Sequence, residues 1–168
     1  MSTKLTDIRT IEGTATAAGL RFALVVSKFN DFVTDRLQVG ALGALAKAGA
    51  DAKDLTVVRV PGAFEIPGAA RHAAETGAFA AIVCLGCIVR GQTPHFEYLA
   101  AAVAHGVTAA AAETGVPMTF GVLTTNSIEE AIERAGEGPS NKGWEAAVAA
   151  IEMVGVVAQL GHPHPLSR

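Results

Sequence analysis

The residues best placed to do chemistry follow a short apolar segment near the middle of the chain. Residues 80–85 (AAIVCL) lead to residues 90–93 (RGQT), and Pro94 and His95 come next. Thr93 suits the N-cap of a helix and Pro94 its first position, which places His95 in the first turn. The spacing therefore predicts an anion site beside a neutral histidine that accepts a proton near pH 7. A surface histidine on an ordinary capped helix is the alternative.

Two cysteines precede this turn, in the spacing C-x-x-C. Cys84 and Cys87 raise the possibility of redox or zinc chemistry, or of a thiol nucleophile paired with His95. Side chains three residues apart on a strand face opposite ways, whereas a metal or a disulfide needs them to converge. The spacing therefore disfavours a metal site, and two free thiols agree with a reducing compartment.

Composition narrows the class of protein. The chain has 168 residues, of which 50% are hydrophobic and 17% charged. Typical domains carry about 25% charged residues, so we expect further copies of the chain to cover part of this surface. The formal charge of −3 disfavours nucleic acid as a partner. Uninterrupted apolar runs fall short of roughly 18 residues and the first residues lack a signal-peptide core, so we expect no membrane association and a cytoplasmic location.

Strand-like and helix-like segments alternate along the chain. The predicted strands, rich in Val, Ile, Leu and Phe as strands buried on both faces should be, are residues 21–27, 55–60, 80–85 and 118–124. The predicted helices are residues 31–49, 66–76, 94–114, 127–136 and 141–159. Such repeats predict an α/β fold, a three-layer α/β/α sandwich around a central parallel sheet. Residues 1–20 form an N-terminal extension, 21–159 the domain and 160–168 a polar tail, where His162 and His164 are expected in a frayed end.

The carboxyl ends of parallel strands meet at one edge of the sheet, so the residues after each strand belong together. Phe29 follows the first strand and either anchors the turn or offers a stacking face to a flat heterocycle. Glu65 follows the second, in VPGAFEIPG, either as a first-turn glutamate or in a turn whose prolines aim backbone groups at a ligand. Arg134 ends the fourth helix, as a helix-terminal charge or a phosphate ligand.

Several nucleotide-binding and hydrolytic motifs are absent from the sequence. No P-loop, G-x-G-x-x-G or G-x-S-x-G follows a predicted strand. Gly40 and Gly43 lie in the middle of a predicted helix, which indicates close helix packing.

Five ordered motifs carry a resemblance to a known family. They are FNDFVTDRL, VPGAFEIP, LGCIVRGQTPHFEY, FGVLTTNSIEEAIERAG and NKGWEAA, spread over roughly residues 19–158. In this order and spacing they resemble the 6,7-dimethyl-8-ribityllumazine synthase family. The resemblance implies a flavodoxin-like sheet and a homo-oligomer, either a pentameric ring or a hollow shell of sixty chains. The implied reaction joins 5-amino-6-(D-ribitylamino)uracil to 3,4-dihydroxy-2-butanone 4-phosphate, releasing phosphate and water, without a metal or organic cofactor.

The resemblance also implies substrate-binding residues. Phe29 would stack on the pyrimidine ring, and Ala63-Phe64-Glu65 would hold the ribityl chain. Cys87-Ile88-Val89 would contact the polar edge of the ring, largely through backbone groups. Gln92 and Thr93 would receive the phosphate group at the helix N-terminus.

A second group of residues would act in catalysis or come from another chain. His95 would move protons during Schiff-base formation, phosphate elimination and ring closure. Phe120, Arg134 and Lys142 would arrive from the neighbouring subunit, with Arg134 on the phosphate. The short segment 136–141 resembles that of shell-forming members.

Two alternatives stay open at this point. One is a non-catalytic protein of the same fold that binds a flavin or pterin or forms a storage shell. The other is a cysteine-dependent amidohydrolase that uses Cys84 or Cys87 with His95.

Overall fold

Four parallel strands and five α-helices alternate along residues 5–161, the part of the chain that this computed structural model describes. The strands are β1 (Phe22–Ser27), β2 (Leu55–Val60), β3 (Ala81–Val89) and β4 (Met118–Thr125). The helices are α1 (Asp31–Lys47), α2 (Ile66–Glu75), α3 (His95–Thr114), α4 (Ile128–Arg134) and α5 (Lys142–Leu160).

The sheet lies between two helical layers. Its strand order is β2-β1-β3-β4, with all pairs parallel. Successive side chains of a strand point to opposite faces of the sheet. Phe22 and Leu24 pack with α1 and α5, whereas Ala23 and Val25 pack with α2 and α3. The predicted three-layer α/β/α sandwich with a parallel, flavodoxin-like sheet is confirmed.

Strand β3 continues beyond the predicted end at residue 85. Ile88 and Val89 pair with Thr124 and Thr125 of β4. The predicted strand ended just before Gly86, and glycine usually weakens strands. Here a side chain at position 86 would lie only 2.9 Å from the Cδ1 atom of Ile66, so glycine lets β3 pass close to α2.

Strand β2 is less buried than expected. The sequence predicted burial on both faces, but Thr56 and Val57 are exposed. The reason is position, because β2 forms one edge of the sheet and the helical layers cover the central strands first.

The starts of two helices differ in detail from the prediction. Thr93 does not cap α3: Pro94 occupies the N-cap position, and its carbonyl accepts from the N–H of Glu97 at 3.1 Å. Ser127 does cap α4, accepting from the N–H of Glu130 at 3.2 Å. The Glu130 carboxylate accepts from the backbone N–H of Asn126, not from that of Ser127, so Ser127 and Glu130 form only half of a capping box.

Helices α1 and α5 approach each other closely because both carry glycines at the contact. A side chain at Gly143 would collide with the backbone carbonyl of Leu37, and one at Gly40 would collide with the side chain of Asn141. A side chain at Gly43 would meet the ring of Trp144 at 3.2 Å. The close packing predicted for Gly40 and Gly43 is confirmed.

Asn141 stabilises the contact between α1 and α5 with four hydrogen bonds. Its side chain is almost fully buried and donates to the carbonyl oxygens of Arg36 and Gly136, at 3.1 and 2.8 Å. Its Oδ1 atom accepts from the N–H groups of Gly143 and Trp144, which caps α5. One amide therefore joins α1, the α4–α5 segment and the start of α5.

Helix α5 is long and apolar enough, by length and composition alone, to cross a membrane. The sequence expectation considered uninterrupted apolar runs, and Glu145 and Glu152 interrupt this one. One side of α5 packs against α1 and the sheet through Ala147, Ala150 and Ile151. A single helix of this kind is weak evidence for a membrane, because the core helix of a globular domain passes the same test.

The segment before β1 packs along α1 and α5. Ala17 is fully buried, and its N–H donates to the carbonyl of Ala48 at 2.9 Å. The side-chain amide of Gln159 donates to the carbonyl of Glu12. The predicted boundaries at residues 20 and 160 stay predictions, and His162 and His164 lie outside the described residues.

We expect Asn141→Ala to lower the free energy of unfolding by about 3 kcal/mol, since it removes a cap and leaves two buried carbonyls without a donor. Urea unfolding followed by circular dichroism measures this loss. Ser127→Ala is the matched control, because it removes only the cap of α4 and should cost about 1 kcal/mol. Equal losses in the two variants would contradict the joining role of Asn141.

Candidate functional site

One site candidate is a cavity of about 690 Å³ at the carboxyl edge of the sheet. It opens where the strand order reverses between β1 and β3, the usual ligand position in an open α/β sheet. This main cavity is lined by Phe29, Asn30, Gly62, Ala63, Phe64, Cys87, Ile88, Val89, Gly91, Thr93, His95, Phe96, Leu99 and Ile128.

Two phenyl rings are presented to the main cavity instead of being buried. The side chain of Phe29 is 72% exposed and that of Phe64 is 67% exposed. The interpretation of Phe29 as a core anchor is therefore wrong. Exposed aromatic faces beside a cavity are suited to stacking on a planar ring.

Glu65 lies outside the main cavity but stabilises part of its wall. Its carboxylate accepts from the N–H of Gly62 at 3.0 Å, across the turn that runs from Ala63 to Glu65. This hydrogen bond fixes the turn that places Ala63 and Phe64 in the lining. Glu65 itself is not among the lining residues, and neither is Gln92.

Arg90 organises the loop that carries Thr93 and His95. Its guanidinium lies 4.8 Å from the ring centre of Phe96 and donates to the side chain of Asn126 at 2.9 Å. It also forms an ion pair with Glu97 at 3.3 Å. Sequence reasoning noted Arg90 only as part of the turn, although its position directly after β3 was the available signal.

His95 is the first residue of α3 and is exposed to the main cavity. Thr93 lines the same cavity two residues earlier. The predicted first-turn position of His95 is thus where the structure places it. Its role in proton transfer stays a prediction.

A second cavity, of about 550 Å³, lies along the edge strand β4. Its lining includes Phe120, Arg134 and Lys142, the residues expected from a neighbouring subunit. Phe120 is 44% exposed, Arg134 donates to the Glu130 carbonyl at 3.1 Å, and Lys142 pairs with Glu145 at 2.8 Å. We call this the β4 cavity.

The structure therefore divides the predicted site residues into two groups. Eight line the main cavity: Phe29, Ala63, Phe64, Cys87, Ile88, Val89, Thr93 and His95. Three line the β4 cavity, and Glu65 and Gln92 line neither of the two.

Sequence reasoning missed several lining residues of the main cavity. Phe96 and Leu99 lie at the start of α3, where they pack against the core and also line the cavity. Asn30 lies beside Phe29 in the sequence, which was a usable signal.

The two cysteines are free and buried. Cys84 packs in the core on the α2–α3 face and Cys87 on the α1–α5 face, so their side chains diverge as expected. Burial raises the pKa of Cys84 to about 12 and that of Cys87 to about 11. Within residues 5–161, no three His, Cys, Asp or Glu side chains cluster as a metal site would require.

Known proteins match this chain over most of its length. The profile of the 6,7-dimethyl-8-ribityllumazine synthase family matches residues 19–158. The 6,7-dimethyl-8-ribityllumazine synthase of Syntrophus aciditrophicus (strain SB) is 54% identical over 149 residues, which cover 89% of this chain and 97% of the relative.

The chain belongs to the 6,7-dimethyl-8-ribityllumazine synthase family.

Two further relatives of the same name support this membership. That of Chlorobaculum parvum (strain DSM 263 / NCIMB 8327) is 51% identical over 155 residues, which cover 92% of this chain and 99% of the relative. That of Desulfatibacillum aliphaticivorans is 50% identical over 151 residues, or 90% of this chain and 97% of the relative. The resemblance seen in the five sequence motifs is confirmed.

We expect iodoacetamide to leave the native protein unmodified at pH 8. With a pKa of about 11, roughly one Cys87 thiol in a thousand is ionised at that pH, and Cys84 is ionised less. Mass spectrometry before and after unfolding in guanidinium measures this, because the unfolded chain should gain two labels. Labelling of native Cys84 or Cys87 with loss of activity would restore the thiol-nucleophile alternative.

Proposed function

We propose that the chain is a transferase that condenses 5-amino-6-(D-ribitylamino)uracil with 3,4-dihydroxy-2-butanone 4-phosphate to give 6,7-dimethyl-8-ribityllumazine, phosphate and water. This is the penultimate step of riboflavin biosynthesis. The main cavity carries the proposal, because it places the Phe29 ring, the end of β3 and His95 around one space in a member of this family.

The pyrimidine substrate fits the apolar part of the main cavity. Phe29 offers the stacking face, and the strand end Cys87-Ile88-Val89 offers backbone groups to the polar edge of the ring. The turn at Ala63, Phe64 and Glu65 holds the ribityl chain. Cys87 takes part through its backbone, since its buried thiol stays protonated.

The phosphorylated substrate binds at the start of α3. Gln92 and Thr93 lie just before the first turn, where backbone N–H groups and the helix dipole favour an anion. His95 stands on the same turn, within the lining of the main cavity. There it serves proton transfer as the amine condenses with the ketone, phosphate leaves and the ring closes.

Orientation supplies much of the acceleration in this scheme. An amine and a ketone condense, and a phosphate is then expelled, without metal or redox chemistry. Holding the two reactants in contact replaces a bimolecular encounter, which lowers the activation free energy by up to several kcal/mol. His95 therefore contributes less than a usual general base.

We further propose that the β4 cavity of one chain completes the main cavity of a neighbouring copy. Phe120, Arg134 and Lys142 would then meet the substrates from the other side, with Arg134 on the phosphate group. Arg134 is exposed in the single chain, and its contact to Glu130 is a backbone carbonyl, which leaves guanidinium donors for a ligand.

Exposed apolar surface supports assembly of several copies. Phe32, Val39, Val57, Phe120 and Met153 are large, apolar and exposed in the single chain. β2 and β4 are the edge strands of the sheet in residues 5–161, each paired on one side. We propose a homo-oligomer in the cytoplasm, built from pentameric rings or from a shell of sixty chains.

Mixing the two substrates with the protein tests the function directly. We expect the fluorescent lumazine to form together with an equal amount of free phosphate, faster than without protein. Binding of flavin or of the pyrimidine with no product above the uncatalysed rate would favour the non-catalytic alternative, a flavin-binding or shell-forming protein.

We expect mixed assemblies of His95→Ala and Arg134→Ala chains to be more active than assemblies of either variant alone. In a closed ring, each interface joins the main cavity of one chain to the β4 cavity of the next, so random mixing leaves roughly a quarter of interfaces with both residues native. Unfolding and refolding the variants together, then comparing their rate with that of each refolded alone, measures the gain. No gain from confirmed mixed rings would contradict a site shared between chains.

A further inference from the structure

β1 and β3 diverge at the floor of the main cavity. Their pairing ends at Val26 and Leu85, although β3 continues to Val89. If this register continued, Ser27 would pair with Gly86 and Lys28 with Cys87, and the N–H of Phe29 would donate to the Cys87 carbonyl. In the structure the N–H of Phe29 donates instead to the Pro61 carbonyl, at 3.0 Å.

The end of β1 has therefore turned towards β2. The N–H of Lys28 still makes the regular ladder bond to the Val60 carbonyl, at 2.8 Å, so the departure begins at Phe29. This turn opens the gap that the main cavity occupies. It also removes the strand donor from the Cys87 carbonyl.

The side chain of Asn30 supplies that donor. Its Nδ2 atom lies 3.0 Å from the Cys87 carbonyl oxygen and bridges the gap between β1 and β3. Asn30 occupies the N-cap position of α1, yet its side chain makes no cap bond. It is the one non-glycine residue within 5–161 with a positive φ, 63°, a conformation that asparagine tolerates better than most residues.

We propose that Asn30 is a positioning residue for the condensation: its amide bridge holds the strand end Cys87-Ile88-Val89 at a fixed distance from the ring of Phe29. The pyrimidine substrate then enters a slot of set width between the stacking face and the backbone groups. This inference rests on the proposed function, and Asn30 acts through Phe29 and Cys87.

Two substitutions separate the bridge from the backbone conformation. Asn30→Gly keeps the positive φ without strain and removes only the amide. Asn30→Asp keeps the size and the tolerance for this conformation but turns a carboxylate oxygen towards the Cys87 carbonyl.

Thr34→Val is the matched control on the same turn. The Thr34 hydroxyl donates to the Ser27 carbonyl at 2.7 Å, so its loss also removes a buried side-chain bond at the end of β1. Thr34 is fully buried and outside the lining of the main cavity.

Steady-state kinetics with each substrate varied in turn test the proposal. We expect Asn30→Gly and Asn30→Asp to raise KM for the pyrimidine about tenfold, as loss of one well-placed hydrogen bond would. KM for the butanone phosphate should change less than threefold, roughly. Thr34→Val should lower Tm and leave the pyrimidine KM as in the native protein.

Two outcomes would overturn the proposal. A native pyrimidine KM in Asn30→Gly would show that only the backbone conformation matters. An equal rise in Thr34→Val would show that any loosening of the turn has the same effect. If Asn30→Gly fails to fold, the nearly isosteric Asn30→Asp decides in the same way. Absence of lumazine formation by the native protein would instead contradict the proposed function, so the two failures are distinguishable.

Discussion

The unequal length of two neighbouring parallel strands is the constraint on which the rest of the site depends. β1 ends at Ser27, whereas β3 continues to Val89 with β4 as its partner on the other side. A polar strand edge left without a neighbour must find other partners or face water or a ligand. At this edge the Cys87 carbonyl receives the Asn30 amide, and the space beside it becomes the main cavity. The site is thus a direct consequence of where the β1 ladder stops.

The second cavity depends on a different kind of contact. Glycines at positions 40 and 143 let α1 and α5 touch at backbone distance, and the buried Asn141 amide then joins both helices to the segment after α4. Lys142 follows Asn141 directly, and Arg134 stands two residues before Gly136, whose carbonyl that amide holds. Arg134 and Lys142 are therefore held by the α1–α5 layer, while Phe29 and His95 follow the central strands β1 and β3.

Much of the fold followed from local patterns. Apolar runs and caps located every strand and α-helix of the described chain, since buried parallel strands and amphipathic helices leave strong signals. The wrong predictions lie where tertiary contacts decide the structure. β3 continues through Gly86, because the lack of a side chain there lets the strand pass close to Ile66. Pro94 replaced Thr93 as the N-cap of α3, and no local pattern distinguishes those two positions. The exposure of Phe29 depends on strand register, which a single sequence does not show. The hydrogen bond from Asn30 to Cys87, 57 residues apart in the sequence, depends on it too.

The division of the predicted site between two cavities also constrains how the proposed activity responds to assembly. In the proposed reaction His95 adds less than a usual general base, so most of the acceleration would come from holding the two reactants together. If Arg134 of one copy holds the phosphate while Phe29 of another holds the pyrimidine, that contact exists only across an interface. The activity per chain then depends on the fraction of chains assembled, and it falls on dilution even while each chain stays folded. Under that proposal the core is complete within one chain but the reactants meet only between chains, which would separate folding from catalysis.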